Sequence, residues 1–265
     1  MLRVENVTKY FNFNTVNQKT ALMEVNLEMA EGDFLTVIGS NGAGKSTLLN
    51  AVAGVYPIDG GKIQLDGNNI TGQPEYKRAS SIGRVFQDPM RGTAPTMTVE
   101  ENLSMAMARG KNRGLKMGLC KDNRQFFSDR LALLELGLEN RLKDKVGLLS
   151  GGQRQAITLL MATLTQPKLL LLDEHTAALD PKTAKKIVEL TGKIVGENGL
   201  TTMMVTHNME QALSLGNRLI MMHEGRIILE LADDFKKKMT VAGLLQEFEH
   251  LRGEAFVNDR VVLAT

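Results

Sequence analysis

The hydrophobic and polar positions fall into three stretches with different periods. Over the first sixty-odd residues apolar positions alternate with polar ones in LRVENV, VNLEMA, FLTVIG and KIQLDG, separated by turns containing glycine or asparagine. A period of two predicts half-buried strands. From about residue 98 to 166 the spacing lengthens to three and four in NLSMAMA, FFSDRLALLELGL and QAITLLMATL, which predicts an inserted helical lobe. From residue 168 strands and helices alternate again: LLLLDE, DPKTAKKIVELTGKIVGENG, TTMMVTH, NMEQALSLG and RLIMMHEGRII. Such alternation predicts a parallel α/β core. On this reading residues 1–92 and 166–231 form that core with a β lobe, 93–165 the helical lobe, and 232–265 a short helix and tail, all within one domain. In the last stretch TVAGLLQEFEHLR reads as an amphipathic helix with Val241, Leu244, Leu245, Phe248 and Leu251 on one side, packed on the core.

Composition narrows the picture. With 265 residues, 43% of them hydrophobic, the chain can bury a real core. Lys plus Arg is 32 against 30 for Asp plus Glu, so the net charge of +2 gives no reason to expect a nucleic-acid partner. The basic segment RGKNRGLKMGLCKDNR at 109–124 is expected to be a solvated loop between helices. The single cysteine, Cys120, excludes an intrachain disulfide and fits a reducing compartment. No run approaches the ~20 apolar residues of a membrane span, and the amino terminus has charges inside its apolar stretch and no cleavage pattern. The mature chain is therefore expected to begin here and to reach a membrane only through a partner.

The candidate chemistry begins at residues 39–47, GSNGAGKST, which fit GxxxxGK followed by Ser or Thr, between the strand FLTVI and a helix expected to start near Lys45. Gly39, Gly42 and Gly44 let backbone N–H groups turn inward around phosphate oxygens, with Ser40, Asn41 and Ala43 completing the loop. Lys45 supplies charge to the β- and γ-phosphates, Ser46 a hydroxyl for Mg²⁺, and Thr47 a contact to the α-phosphate. The fold class that follows is an α/β P-loop nucleoside triphosphatase with a RecA-like parallel core. LLLLDE at 169–174 reads as a buried strand opening on the ligand crevice. Asp173 would hold Mg²⁺ through a water and Glu174 would polarise the attacking water as general base, unless the two are only a strand-end acid pair. In LLSGGQRQ at 148–155, Ser150 and Gln153 have capping-box spacing for the helix that follows, and a helix amino terminus behind two glycines is an anion site.

LLSGGQRQ, shortly before the acidic strand, also resembles the LSGGQ signature of ABC ATPases, and the resemblance extends from Leu2 to about Leu231. It implies an ATP-binding and hydrolysing subunit of an ABC transporter, at the cytoplasmic face of the cell membrane, energising transport through a separate permease. Import with a solute-binding protein is the favoured direction. The motifs occur once, so the resemblance implies a second ATPase subunit, most simply a homodimer, in which Ser150, Gly151, Gly152 and Gln153 complete the partner's ATP site.

Four more residues take roles from the resemblance. Gln87, after IGRVF, would ligand Mg²⁺ and link the nucleotide to the permease around residues 87–98. Asp180 would lie in a loop crossing the dimer interface, although Asp before Pro is equally a helix cap. His207 would contact the γ-phosphate and the attacking water, although strand-end histidines are often structural. Phe11 would stack on adenine; Tyr10 is the alternative, and both fit a β-lobe core.

His175 departs from the family, most of whose members have proline after the glutamate, in a position expected to touch neither carboxylate. DEHTAALD, YKR, GRVFQDP and VGLLSGGQRQ together are similar to the ATP-binding subunits of tryptophan/tyrosine import systems. The competing reading is a soluble ABC ATPase acting on ribosomes or DNA. Those usually carry two ATPase units or a long coiled coil, neither of which this chain accommodates. A P-loop kinase would leave the signature unexplained.

Overall fold

The computed structural model describes residues 1–111 and 121–262; Cys120 and most of the basic segment lie outside them. The chain begins with β1 (Leu2–Phe11), β2 (Lys19–Met29), β3 (Phe34–Gly39), α1 (Lys45–Ala53), β4 (Gly60–Leu65), β5 (Asn68–Asn69), α2 (Glu75–Arg78) and β6 (Ile82–Val85). Helices α3 (Val99–Met107), α4 (Lys121–Ala132) and α5 (Gly151–Thr163) follow, with short 3₁₀ turns at Leu138–Asn140 and Val146–Leu148. The remainder is β7 (Leu169–Asp173), α6 (Pro181–Asn198), β8 (Thr201–Val205), α7 (Met209–Ser214), β9 (Arg218–His223), β10 (Arg226–Ala232), α8 (Asp233–Lys238) and α9 (Val241–Val262). The strands make two sheets. One is antiparallel, in the order β2-β1-β4-β5; the other runs β10-β9-β3-β8-β7-β6 and is parallel except where β10 pairs β9.

Alternation along the parallel strands distributes the core over both faces. Leu169 and Leu171 of β7, with Met203 and Val205 of β8, pack toward α1 and the antiparallel sheet. Leu170, Leu172 and Met204 point the other way, onto Ile157 and Leu160 of α5 and Ile187 and Leu190 of α6. A strand covered on both sides reads as an uninterrupted apolar run, which is what LLLL is. The helix caps form as their spacing implies. Ser150 Oγ accepts from Gln153 N while Gln153 Oε1 accepts from Ser150 N, each at 3.2 Å, and Asp180 caps α6 with Pro181 in its first turn.

Three expectations need correction. The basic segment is not wholly a solvated loop: at its start the half-buried Arg109 donates through Nη2 to Ala162 O (2.9 Å) and Thr165 Oγ1 (2.8 Å), and its last residues open α4, where the exposed Arg124 pairs with Glu100 at 2.6 Å. Long cationic side chains beside a helical lobe find its carbonyls and carboxylates. In α9, Leu244 is buried and Phe248 packs against the same cluster, edge-on to His223, but Leu245 is 44% exposed. One residue along a helix rotates a side chain by about 100°, which takes Leu245 off the stripe shared by Leu244 and Phe248. The helix also continues through most of GEAFVNDRVVLAT, which read as a tail and contains no proline to stop it. Among the described residues no helix is long and apolar enough to cross a membrane.

Candidate functional site

The parallel sheet delivers the chemistry as a row. Its neighbours β3, β8, β7 and β6 end, respectively, at the phosphate loop, just before His207, at Asp173 and just before Gln87. Ligands of open α/β sheets gather at these carboxyl ends. Leaving β3, the chain turns through Gly39, Gly42 and Gly44 at φ 147°, 82° and 100°. A Cβ at Gly39 would lie 2.1 Å from Met222 O and one at Gly44 2.5 Å from Ala21 O, so both conformation and space require glycine. Lys45 is buried at the start of α1, and its ammonium donates to Gly39 O (2.8 Å) and Ser40 O (3.0 Å). Burial pushes its pKa down, opposed by the charges of Glu174 and Asp173.

Above this loop is a hollow of about 230 Å³ lined by Phe11, Lys19, Ala21, residues 41–47 and Glu174. Phe11 meets Tyr56 edge-on at 5.3 Å, whereas Tyr10 lies against Phe13 and outside the hollow. Lys19 had no motif to reveal it. It opens β2, and its ammonium is 3.5 Å from where a side chain on Gly42 would begin.

Ser46 Oγ donates to Asp173 Oδ1 at 3.4 Å. Burial pushes the Asp173 pKa up, while Arg84, 3.7 Å away, holds it down. Arg84, a second residue without a motif, donates to Asn50 Oδ1 at 2.6 Å and lies 4.5 Å over the Phe86 ring. Gln87 and Asp173 share a neighbouring hollow of about 580 Å³ with Asn50 and Arg84. Among the described residues no three His, Cys, Asp or Glu side chains cluster as a metal site. The hydroxyl and carboxylate that converge at Ser46 and Asp173 are hard oxygen donors, too few for a closed cage and suited to a magnesium ion completed by phosphate and water.

Glu174 sits at φ 42°, its N–H donating to Val205 O at 3.0 Å. Its Oε2 is 3.5 Å from Nδ1 of His207, whose side chain is 61% exposed. Gln211 ties the two strand ends: its Oε1 accepts from the hydroxyls of Thr176 and Thr206, each at 3.4 Å. His175 is buried with Nε2 3.0 Å from Thr191 Oγ1, and burial pushes its imidazole pKa down to about 4.

The signature stands apart from this hollow, none of whose lining comes from residues 150–153. Ser150 and Gly151 are exposed at the start of α5, and a Cβ on Gly152 would strike Thr183 Cγ2 at 2.2 Å. The Gln153 amide is engaged within the chain, by Arg141 Nη1 and Leu136 O as well as Ser150. Asp180 is exposed and accepts from Thr183 N at 3.1 Å, which holds its carboxyl below the usual range.

A glycine-lined phosphate loop on β3, with an acidic strand β7 one strand away across β8, defines a P-loop nucleoside triphosphatase fold. Comparison with known proteins narrows this. The pattern of the ABC transporter family matches residues 22–177. The tyrosine transport ATP-binding protein of Clostridioides difficile is 46% identical over 250 residues, covering 94% of this chain and 99% of that one. The aliphatic sulfonates import ATP-binding protein SsuB 2 of Agrobacterium fabrum is 37% identical over 211 residues, 79% and 73% of the two chains. Among solved structures, the dimeric post-hydrolysis state of the ATP-binding cassette MJ0796, bound to ADP and Pi, superposes with a TM-score of 0.75 at 32% identity, covering 88% of this chain and 98% of that one. A nucleotide-free cassette from an ABC transporter gives 0.74 at 28% identity, covering 90% and 93%. The chain belongs to the ABC transporter family, as an ATP-binding subunit.

Two expectations follow from the geometry. Lys19→Ala should weaken ATP binding about tenfold, the order of one charged contact, and leave adenosine binding unchanged; equal affinity for ATP by fluorescence titration would remove Lys19 from the site. The folded His175 pKa lies below its ordinary 6.5, so the unfolded chain takes the proton first and stability is lost as pH falls below that value. In chelator, denaturant unfolding should show wild type losing about 2 kcal/mol more than His175→Gln between about pH 7 and 5. Parallel profiles would mean that the histidine is not held neutral by burial.

Proposed function

We propose that this chain is the ATP-hydrolysing subunit of an importer for a solute of the amino-acid class, acting as a homodimer on the cytoplasmic face of a membrane permease. The observation that carries the reading is the convergence of the phosphate loop, Glu174 and His207, with Glu174 lining the hollow above Lys45 and 3.5 Å from the histidine. Near-full-length similarity to a tyrosine transport ATP-binding protein supports the amino-acid assignment. The import names of other relatives, for aliphatic sulfonates and for methionine, support the direction, and an importer would take a solute-binding protein as a further partner.

In this mechanism the loop N–H groups and the α1 amino terminus hold the β-phosphate, Lys45 reaches the β- and γ-phosphates, and Phe11 stacks on adenine. Ser46, Asp173 and Gln87 would hold Mg²⁺, which neutralises charge on the phosphates when bound. Glu174 accepts a proton from water as the water oxygen attacks the γ-phosphorus; the bond from that phosphorus to the bridging oxygen breaks, giving ADP and phosphate. His207 orients the water and the γ-phosphate oxygens. Ser150, Gly151, Gly152 and Gln153 of the second copy close the site over the γ-phosphate, and Asp180 meets the same interface. Loss of the γ-phosphate loosens the dimer, and the helical lobe, residues 93–165, transmits that motion to the permease through residues 87–98.

Glu174→Gln should lower kcat for ATP at least about hundredfold, the scale of general-base catalysis, with ATP affinity retained. Phosphate release at the wild-type rate from this variant would overturn the assignment of the base.

A further inference from the structure

Glu174 occupies a left-handed backbone conformation, φ 42°, which a residue with a side chain adopts only when its surroundings impose it. On its amino side the constraint is plain. Asp173 is still paired with Val205 in the sheet, and Glu174 N donates to Val205 O at 3.0 Å. On its carboxyl side the next side chain, His175, is only 3% exposed, and its Nε2 lies 3.0 Å from Thr191 Oγ1. The Thr191 hydroxyl gives its one hydrogen to Ile187 O at 2.8 Å, so toward His175 it can only accept. Nε2 therefore carries the ring proton, and the imidazole is fixed in tautomer and orientation. Its anchor is firm: Thr191, Ile187 and Leu190 are all buried on α6, whose amino end is capped by Asp180.

We infer that His175 is a positioning residue for hydrolysis: by donating to Thr191 it fastens the backbone just after Glu174 to α6 and keeps the Glu174 carboxylate over the phosphate loop and against His207. The inference rests on Glu174 being the base proposed above. A histidine that merely fills space would need only shape, whereas a fastener needs its hydrogen bond. Neither end of that bond lines the hollow above the phosphate loop, so each can be changed without deleting a residue that does.

The test compares Thr191→Val, which keeps shape and deletes the acceptor, His175→Leu, which deletes the donor, the double variant, and His175→Gln, whose amide nitrogen reaches close to the Nε2 position. Each is measured for kcat at saturating MgATP, for ATP affinity in chelator, and for melting temperature. Thr191→Val and His175→Leu should each lower kcat by about ten- to a hundredfold, up to the loss a 1 Å misplacement of a catalytic group can cause, with ATP affinity unchanged. The double variant should be no slower than either single one, and His175→Gln should keep most of the activity. Wild-type kcat in Thr191→Val overturns the inference. So do additive losses, or a fall in kcat that tracks affinity and melting temperature and is not rescued by glutamine. If His175→Leu does not fold, Thr191→Val, a hydroxyl exchanged for a methyl, decides the question by itself. Glu174→Gln measured in parallel separates the two levels: an active variant removes the base assignment, whereas an inactive one beside a fully active Thr191→Val removes only the role of His175.

Discussion

The site depends on the register of four parallel strands. β3 pairs β8 with Val37 opposite Val205, β8 pairs β7 with Val205 opposite Asp173, and β7 pairs β6 with Leu172 opposite Val85. That register aligns the strand ends to within a residue or two, so segments far apart in the chain meet. A slip of one residue would send every side chain on a strand to the opposite face and move the strand's end by one position along the row. In β7, whose four leucines are buried, a slip inward would draw Asp173 into the core and a slip outward would carry a leucine to the strand end. The same apolar packing that stabilises the sheet therefore also sets the position of the carboxylates.

Charge is held at this row by close pairing. Asp173 is largely withdrawn from water between Ser46 and Arg84, and Lys45 is folded onto the carbonyls of its own loop. A partly buried carboxylate whose ionised form is disfavoured by burial is a ready acceptor for a cation. Away from the row the protein uses the same device structurally: Arg78 donates to Ala51 O and Val52 O at the end of α1, and Lys236 to Leu215 O and Gly216 O behind α7. Both engage carbonyls at or just beyond a helix end, where intrahelical donors run out.

Much of this was legible in the sequence because it rests on local rules. The glycines of residues 39–44 announce positive φ, Ser150 and Gln153 announce a cap, and LLLL announces a strand covered on both faces. What was not legible depends on contacts between distant segments. Lys19 enters the hollow only because β2 runs beside the phosphate loop, and Arg84 reaches Asp173 only because β6 neighbours β7. Neither has a spacing that would mark it. The Leu245 error has a different origin: a five-residue apolar set fits one helix face loosely, and only packing shows which members share the buried stripe. Phe11 and Tyr10, indistinguishable by composition, are separated by strand pleat, which sends adjacent side chains to opposite faces.

The central claim is that one chain holds half of each ATP site, since residues 150–153 are exposed or committed locally and lie outside the hollow of their own chain. Light scattering of Glu174→Gln with and without MgATP tests this most directly. The account predicts that ATP converts monomer to a stable dimer and that adding Ser150→Arg abolishes it. A protein that stays monomeric with ATP bound, or a dimer indifferent to Ser150→Arg, would contradict it.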